Sequence, residues 1–456
     1  MNRIASRAWV TVLIALLLVA GLGFFLAEFV VEGGDWAVFS GSPHVYTDGR
    51  ATATLVDRNG EVLVDMSGER TYSQELSIRK STLHWVGDRD GYIYTPFYDH
   101  YAKALSGFDV LNGVYRYGEN TPEMTLTLDA RVQAAALEAL GSYHGTVSVY
   151  NYKTGALLCA VTTPTYDPDD PPDVEADEDG AYKGVYVNRF TQSAYIPGSI
   201  FKIVTLAAAL ETIPDIREQS FYCESVYEID GEEVTCEGWH GWQDIEDAFA
   251  NSCNCAFAQI VEQLGAETLT SYVEKFQVTD SFTFDGIETE KGNFDIGGAA
   301  ALNVAWAGIG QYTDQVNPYA YLSFMGAIAG EGCGVQPYVV SQVAVGKEVT
   351  YQASPVTRER IMSRETARQL REYLGYNVEQ VYGSYNFPGL TVCAKSGTGE
   401  LGEGLRPNAT FAGFVTDDAY PLAFFVAVEE AGYGSQICVP ILSQVLSACV
   451  EAMDGG

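Results

Sequence analysis

An α+β fold is predicted by three observations: period-two apolar runs near both ends of the exported part of the chain, a long helical stretch between them, and an apolar-periodic helix that closes the sequence. The chain has 456 residues, 47% of them hydrophobic, so it can bury a large core and is neither disordered nor a disulfide-dense scaffold. With 26 Lys and Arg against 60 Asp and Glu the formal charge is −34, which excludes a phosphate-backbone binder; nucleic acid is not an expected partner.

The elements follow in order. Arg3 and Arg7 precede an apolar run from Ala8 to Val31 broken only by Glu28, long enough to span a bilayer. Acidic Glu32 and Asp35 follow it, so the positive-inside bias places a cytoplasmic tail at 1–7, a transmembrane anchor at 8–31 and everything later outside. A cleaved signal peptide is the rival reading; the run exceeds a usual h-region and no A-x-A site closes it. Residues 32–122 read as a small β-rich module, with VDRNGEVLV forming a hairpin turned at Asn59-Gly60. From 123 to 456 the text is one domain. TLTLD (Thr125–Asp129) leads into an alanine-rich helix ending at Gly141, and two strands flank the turn Asn151–Gly155. An acid-rich loop and mainly helical text follow. Three strands then appear from Thr391, and CVPILSQVLSACVEAM closes the chain. Two strands from one end and three from the other make an antiparallel sheet.

The acidic stretch Asp173–Gly180 lacks the first Asp and the closing Glu of a calcium loop and reads as solvated. Nine cysteines without CxxC or HExxH spacing predict no structural zinc, and no cofactor is expected.

Three short patterns carry chemistry. In YIPGSIFKIV, Ser199 and Lys202 share a helix face, and the apolar surroundings lower the lysine pKa enough for it to take the serine proton. In NSCNC, Ser252 and Asn254 project two residues apart from a turn or helix end, suited to relaying a proton and holding an amide. In AKSGTG, Lys395 supplies a cation, Gly397 admits close backbone approach, and the hydroxyls of Ser396 and Thr398 suit a substrate carboxylate. Each alone is weak: a surface pair, a helix cap and an ordinary strand end would read the same way.

In this order the patterns SxxK, SxN and K[ST]G resemble those of the penicillin-binding transpeptidases and serine β-lactamases, with further matches at PTYDP (Pro164), NRF (Asn188), GIGQ (Gly308) and FAGFVT…FFVAVEE. The anchored hairpin segment resembles the pedestal of class B penicillin-binding proteins, and no stretch resembles a glycosyltransferase module. The resemblance implies a serine β-lactamase/transpeptidase-like domain with a five-stranded antiparallel sheet and a helical subdomain. It implies a peptidoglycan D,D-transpeptidase acting on stem peptides and acylated by β-lactams, with a membrane-embedded polymerase as partner. Ser199 would be the nucleophile, Lys202 its base, Ser252 and Lys395 a proton-relay pair, and Asn254 the donor to the stem-peptide amide. The N–H groups of Ser199 and Thr398 would form the oxyanion hole. Alternatives are a D,D-carboxypeptidase or β-lactamase using the same motifs, and a silent wall-assembly scaffold or β-lactam sensor of the same fold. Finally, Asp230-Gly231 suggests a hairpin bringing Cys223 and Cys236 together, and a similar paired-cysteine loop before HG occurs in some class B enzymes; a disulfide between them is expected.

Overall fold

The fold is taken from a computed structural model, which describes residues 2–38, 46–47, 50–106, 108, 121–402 and 404–455. Helix α1 (Asn2–Ala37) is long and apolar enough to cross a membrane, and its apolar window is not buried by the rest of the chain. An ion pair between Asp35 and Lys103, 3.2 Å long, ties its end to the following module.

Within that module the expected hairpin forms, β1 (Thr54–Val56) and β2 (Val62–Asp65), followed by the short β3 (Thr71–Tyr72) and by short helices at Leu76–Ser81, Leu83–Val86, Phe97–His100 and Ala102–Ser106, so its described residues hold more helix than the β-rich reading anticipated. Gly60 takes a φ of +87° at the turn, while Asp57 Oδ1 accepts from the N–H groups of Asn59 and Glu61. Strand β4 (Pro122–Leu126) runs across the expected 122/123 boundary and pairs in parallel with β1. On its other side it pairs antiparallel with a strand more than 200 residues later, so pedestal and main domain share a six-stranded sheet across that boundary. Helix α2 (Ala130–Leu140) is capped by Asp129, whose Oδ1 accepts from Arg131 N and Val132 N; its Oδ2 accepts from Asn59 of the hairpin at 2.8 Å.

The second sheet is the centre of the main domain. Strands β5 (Gly145–Asn151) and β6 (Leu157–Thr163) are joined at one edge by three C-terminal strands, giving five antiparallel strands assembled from both ends of the domain, as expected. The elements between the two sets include α3 (Lys202–Thr212), preceded by a 3-10 turn Gly198–Phe201, and two small ribbons. One pairs β7 (Ser220–Cys223) with β10 (Gly241–Asp244), and the other pairs β8 (Val226–Ile229) with β9 (Glu232–Thr235) about the turn Asp230-Gly231. Helices α4 (Ile245–Ala250), α5 (Asn254–Phe276), α6 (Ala301–Ile309) and α7 (Pro318–Ala329) follow. Then come β11 (Val340–Val345), the partner of β4, β12 (Glu348–Gln352) and α8 (Arg364–Asn377). This middle stretch carries more strand than its mainly helical reading anticipated, because its strands are short and find partners only in the fold.

The sheet is completed by β13 (Val392–Gly399), β14 (Asn408–Val415), β15 (Leu422–Val428) and, packed on it, α9 (Gly434–Asp454). Alternation sorts β15: Phe424, Val426 and Val428 face α2 and α9, whereas Phe425 and Ala427 join the core around α3 and α7. Helix α9 is apolar enough to span a membrane, but Leu442, Val445 and Cys449 are spent on the sheet, so it is a core helix. Strand β13 packs against the 3-10 turn before α3 and against α8, and the candidate site lies at that turn.

Candidate active site

The turn before α3 is built by two glycines. Gly198 sits at φ +58°, and a Cβ there would come 2.4 Å from Thr398 O; Gly310, at φ +92°, would place a Cβ 2.0 Å from Gly198 O. Gly198 N donates to Gly310 O (2.9 Å), Thr410 Oγ1 to Pro197 O (2.8 Å) and Tyr321 OH to Ile200 O (2.6 Å). The turn is 3-10 rather than α and runs into α3 at Lys202, so half-buried Ser199 and Lys202 lie one turn apart across the junction.

Lys202 is completely buried. Its Nζ donates to Asn254 Oδ1 at 2.7 Å, Ser252 O at 2.5 Å and Ser252 Oγ at 3.3 Å. Ser252 adopts φ +53° between α4 and α5, which turns both its carbonyl and hydroxyl toward the amine. Asn254, the first residue of α5, is oriented at its other end by Nδ2 donating to Thr235 O at 2.9 Å. Burial pushes the Lys202 ammonium down to about 8, against a smaller opposing pull from the thiols of Cys236 and Cys253.

Lys395 enters from β13, 1% exposed, with Nζ donating to Ser396 O at 3.2 Å and lying 5.9 Å from the Phe249 ring centre. Burial first, and then the Lys202 charge, hold its ammonium well below the usual lysine range. Gly397 lies against the 3-10 turn: a Cβ would meet Pro197 O at 2.3 Å and Thr410 Oγ1 at 2.4 Å. Ser396 and Thr398 point to the other face and are half-buried. The structure therefore gathers all three motifs. Lys202, Ser252 and Asn254 are joined by direct hydrogen bonds. Among the described residues no hydrogen bond runs from Ser199 Oγ to Lys202 or from Ser252 Oγ to Lys395.

The family model described as "Penicillin binding protein transpeptidase domain" matches residues 145–447, about two thirds of the chain. The chain belongs to the penicillin-binding transpeptidases. Among relatives, it is 28% identical to stage V sporulation protein D of Bacillus subtilis, covering 83% of this chain and 59% of that protein. It is 26% identical to the peptidoglycan D,D-transpeptidase PbpA of Mycobacterium tuberculosis, covering 92% of this chain and 88% of the relative. Among solved structures, the D,D-transpeptidase domain of a peptidoglycan glycosyltransferase from Eggerthella lenta superposes with a TM-score of 0.74 at 25% identity, over 88% of this chain and 98% of that one. Penicillin-binding protein A of M. tuberculosis, in a ceftriaxone acyl-enzyme complex, gives a TM-score of 0.74 at 22% identity, over 87% and 98%. Within the family this is a class B penicillin-binding protein, anchored to a membrane by its N-terminal helix.

Two side chains that shape the site of this penicillin-binding protein have no signature in the three motifs. Tyr382 OH accepts from Ser396 N (2.7 Å) and donates to Ser396 Oγ (2.9 Å), and Asn377 Nδ2 donates to it in turn. Gln311 Nε2 donates to Thr398 O at 2.9 Å, bracing the end of β13. Gln311 belongs to GIGQ, where the resemblance was visible but the contact was not.

The cysteine expectations need correction. The hairpin at Asp230-Gly231 forms, but Cys223 and Cys236 are free thiols. Cys223 leaves that ribbon to pair in register with Gly241, and its Sγ donates to Gly238 O at 3.4 Å. Cys236 Sγ instead faces Cys253 Sγ at 4.0 Å and His240 Nδ1 at 3.7 Å. The sequence spacing also carried no sign that four of these side chains meet. Cys223, Cys236, His240 and Cys253 have ligand atoms all within 4.8 Å of one another.

Proposed function

We propose that this chain is a serine-type peptidoglycan D,D-transpeptidase that cross-links stem peptides through an acyl-enzyme and is acylated by β-lactams at Ser199. The observation that carries the reading is the meeting of a buried lysine of lowered pKa with the SxN residues, beneath a serine on a 3-10 turn packed against the KSG strand. Neutral Lys202 takes the Ser199 proton as Oγ attacks the carbonyl between two D-alanines. The N–H groups of Ser199 and Thr398 receive the oxyanion, and D-alanine leaves with a proton relayed through Ser252 and Lys395. An amine of a neighbouring stem peptide then displaces Ser199 and forms the cross-link. Asn254 holds the stem-peptide amide, Gly397 lets the 3-10 turn that carries Ser199 pack directly on the KSG strand, and Ser396 and Thr398 bind the substrate carboxylate.

Among the described residues no carboxylate hydrogen-bonds to Ser199, Lys202, Ser252 or Lys395. The reading also divides the protein into a cytoplasmic tail (1–7), an anchor (8–31), an extracytoplasmic pedestal (32–122) and a catalytic domain (123–456). A membrane-embedded polymerase would supply the glycan, and purified chain that elongates glycan from lipid II unaided would remove that partner. Peptide mapping after exposure to penicillin tests the core of the reading: the drug should reside on the peptide containing Ser199, and a Ser199→Ala chain that still acquires a covalent adduct overturns it.

A further inference from the structure

Four side chains with metal-binding atoms converge beside Ser252 and take no part in the chemistry above. Cys223 ends β7, Cys236 follows β9, His240 precedes β10, and Cys253 is the N-cap of α5. Their ligand atoms lie within 4.8 Å of one another, with Cys236 Sγ 3.7 Å from His240 Nδ1 and 4.0 Å from Cys253 Sγ. Around a tetrahedral zinc with arms of about 2.0–2.3 Å the ligand atoms stand roughly 3.5–3.8 Å apart. Bonded sulfurs would be at about 2.05 Å. The 3.7 Å spacing matches the first arrangement, the whole set lies within about 1 Å of it, and none of the measured spacings approaches the second.

We propose that Cys223, Cys236, His240 and Cys253 bind one zinc ion in a closed Cys3His site that fastens the β7–β10 ribbons to the SxN turn. Three thiolates and an imidazole form a soft set that selects zinc over the oxygen-seeking cations, and four protein ligands leave no open position, so the ion is structural. On binding, three S–H bonds are exchanged for Zn–S bonds and three protons leave to solvent. Cys236 and His240 are half-buried while Cys223 and Cys253 are buried, which gives the ion a way in and a shielded final position. Cys253 Sγ accepts from Ala256 N at 3.4 Å at the start of α5, which fixes the sulfur at the edge of the cluster.

The placement ties the metal to the active site. Asn254 follows Cys253 directly, and its Nδ2 bonds to the carbonyl of Thr235, the residue before Cys236. Two ligands thus flank the contact that orients the side chain holding Lys202. The ion would keep Ser252 and Asn254 in place without touching substrate.

The test uses the full chain, purified in detergent with reductant and no added metal, and reads zinc per chain by mass spectrometry. The expected result is one zinc ion that survives desalting, is lost in Cys223→Ser, Cys253→Ser and His240→Gln, and is kept in Cys333→Ser, which lies outside the cluster. Because a cysteine variant can fail by misfolding, the wild-type chain is also titrated with a mercurial and the released zinc followed with a chromophoric chelator. In parallel, cobalt is substituted for zinc, and the expected spectrum is that of tetrahedral thiolate ligation, altered in His240→Gln. Zinc below about a tenth of an equivalent with no cobalt spectrum overturns the site. So does a Cys223–Cys236 disulfide in non-reducing peptide maps, or retention of zinc by all three ligand variants. The readout is independent of catalysis: a chain that holds zinc but is not acylated by penicillin would fail the transpeptidase reading alone.

Discussion

Raising the pH through the titration of Lys202 should both speed acylation and stabilise the fold, whereas removing the amine should slow acylation while still stabilising the fold. An ordinary lysine near 10.5 is only about 0.03% neutral at pH 7, whereas one at about 8 is roughly 9% neutral, a gain of about 300-fold in available base. The second-order rate constant for acylation by a fluorescent penicillin should therefore rise nearly tenfold per pH unit below about 8 and level off above it. Lys202→Met removes the base and should slow acylation by about 10²–10⁴-fold. The same substitution relieves a cost. The folded pKa lies below the unfolded one, so the fold binds fewer protons than the unfolded chain between about 8 and 10.5, and its stability rises with pH across that window. Below it the penalty is fully present, up to about 3 kcal/mol, because this amine is completely buried. Asn254 Oδ1 loses its donor in the variant, which returns about 1 kcal/mol of that. Lys202→Met should thus be more heat-stable than wild type at pH 7, with the difference shrinking toward pH 10. A flat pH–rate profile, a break near the ordinary lysine pKa, or a stability difference independent of pH would refute the argument.

Gly198→Ala should slow acylation by more than about 100-fold and destabilise by about 1–3 kcal/mol, since the residue is left-handed and its Cβ would strike Thr398 O; acylation kinetics and a thermal melt check both. Tyr382→Phe removes the oxygen on Ser396 N and Oγ and should cost about 1–3 kcal/mol, with weaker binding of penicillin before acylation in a stopped-flow assay. Replacing buried Arg189, which pairs at 2.7 Å with the one-third-exposed Glu429, by Ala should cost about 1–3 kcal/mol, measured by thermal or denaturant unfolding. The penicillin adduct should last many minutes, because a site that waits for an amine must exclude water; rapid release of hydrolysed drug, seen by mass spectrometry, would favour a hydrolase.

What was legible in the sequence was what the chain repeats locally. The period-two runs around residues 147, 159, 394, 411 and 425 announce the central sheet, and Asp129 announces a helix start, because alternation and capping are decided within a few residues. The site was legible for a different reason: SxxK, SxN and K[ST]G are each compact, and only their order made them informative. Parts built from distant single residues stayed hidden. Tyr382 reaches Ser396 across a helix end, Gln311 reaches Thr398 from another loop, and β4 takes one partner from the pedestal and another from β11. The cysteines make the point most clearly. A hairpin turn at Asp230-Gly231 suggested that the thiols it joins should pair, yet the strand holding Cys223 pairs with the one after His240, and the turn at Ser252 brings Cys253 up from a third element. Proximity along a ribbon therefore proposed two partners where the fold gathers four, and four soft ligands in one place are a metal's coordination shell before they are a disulfide.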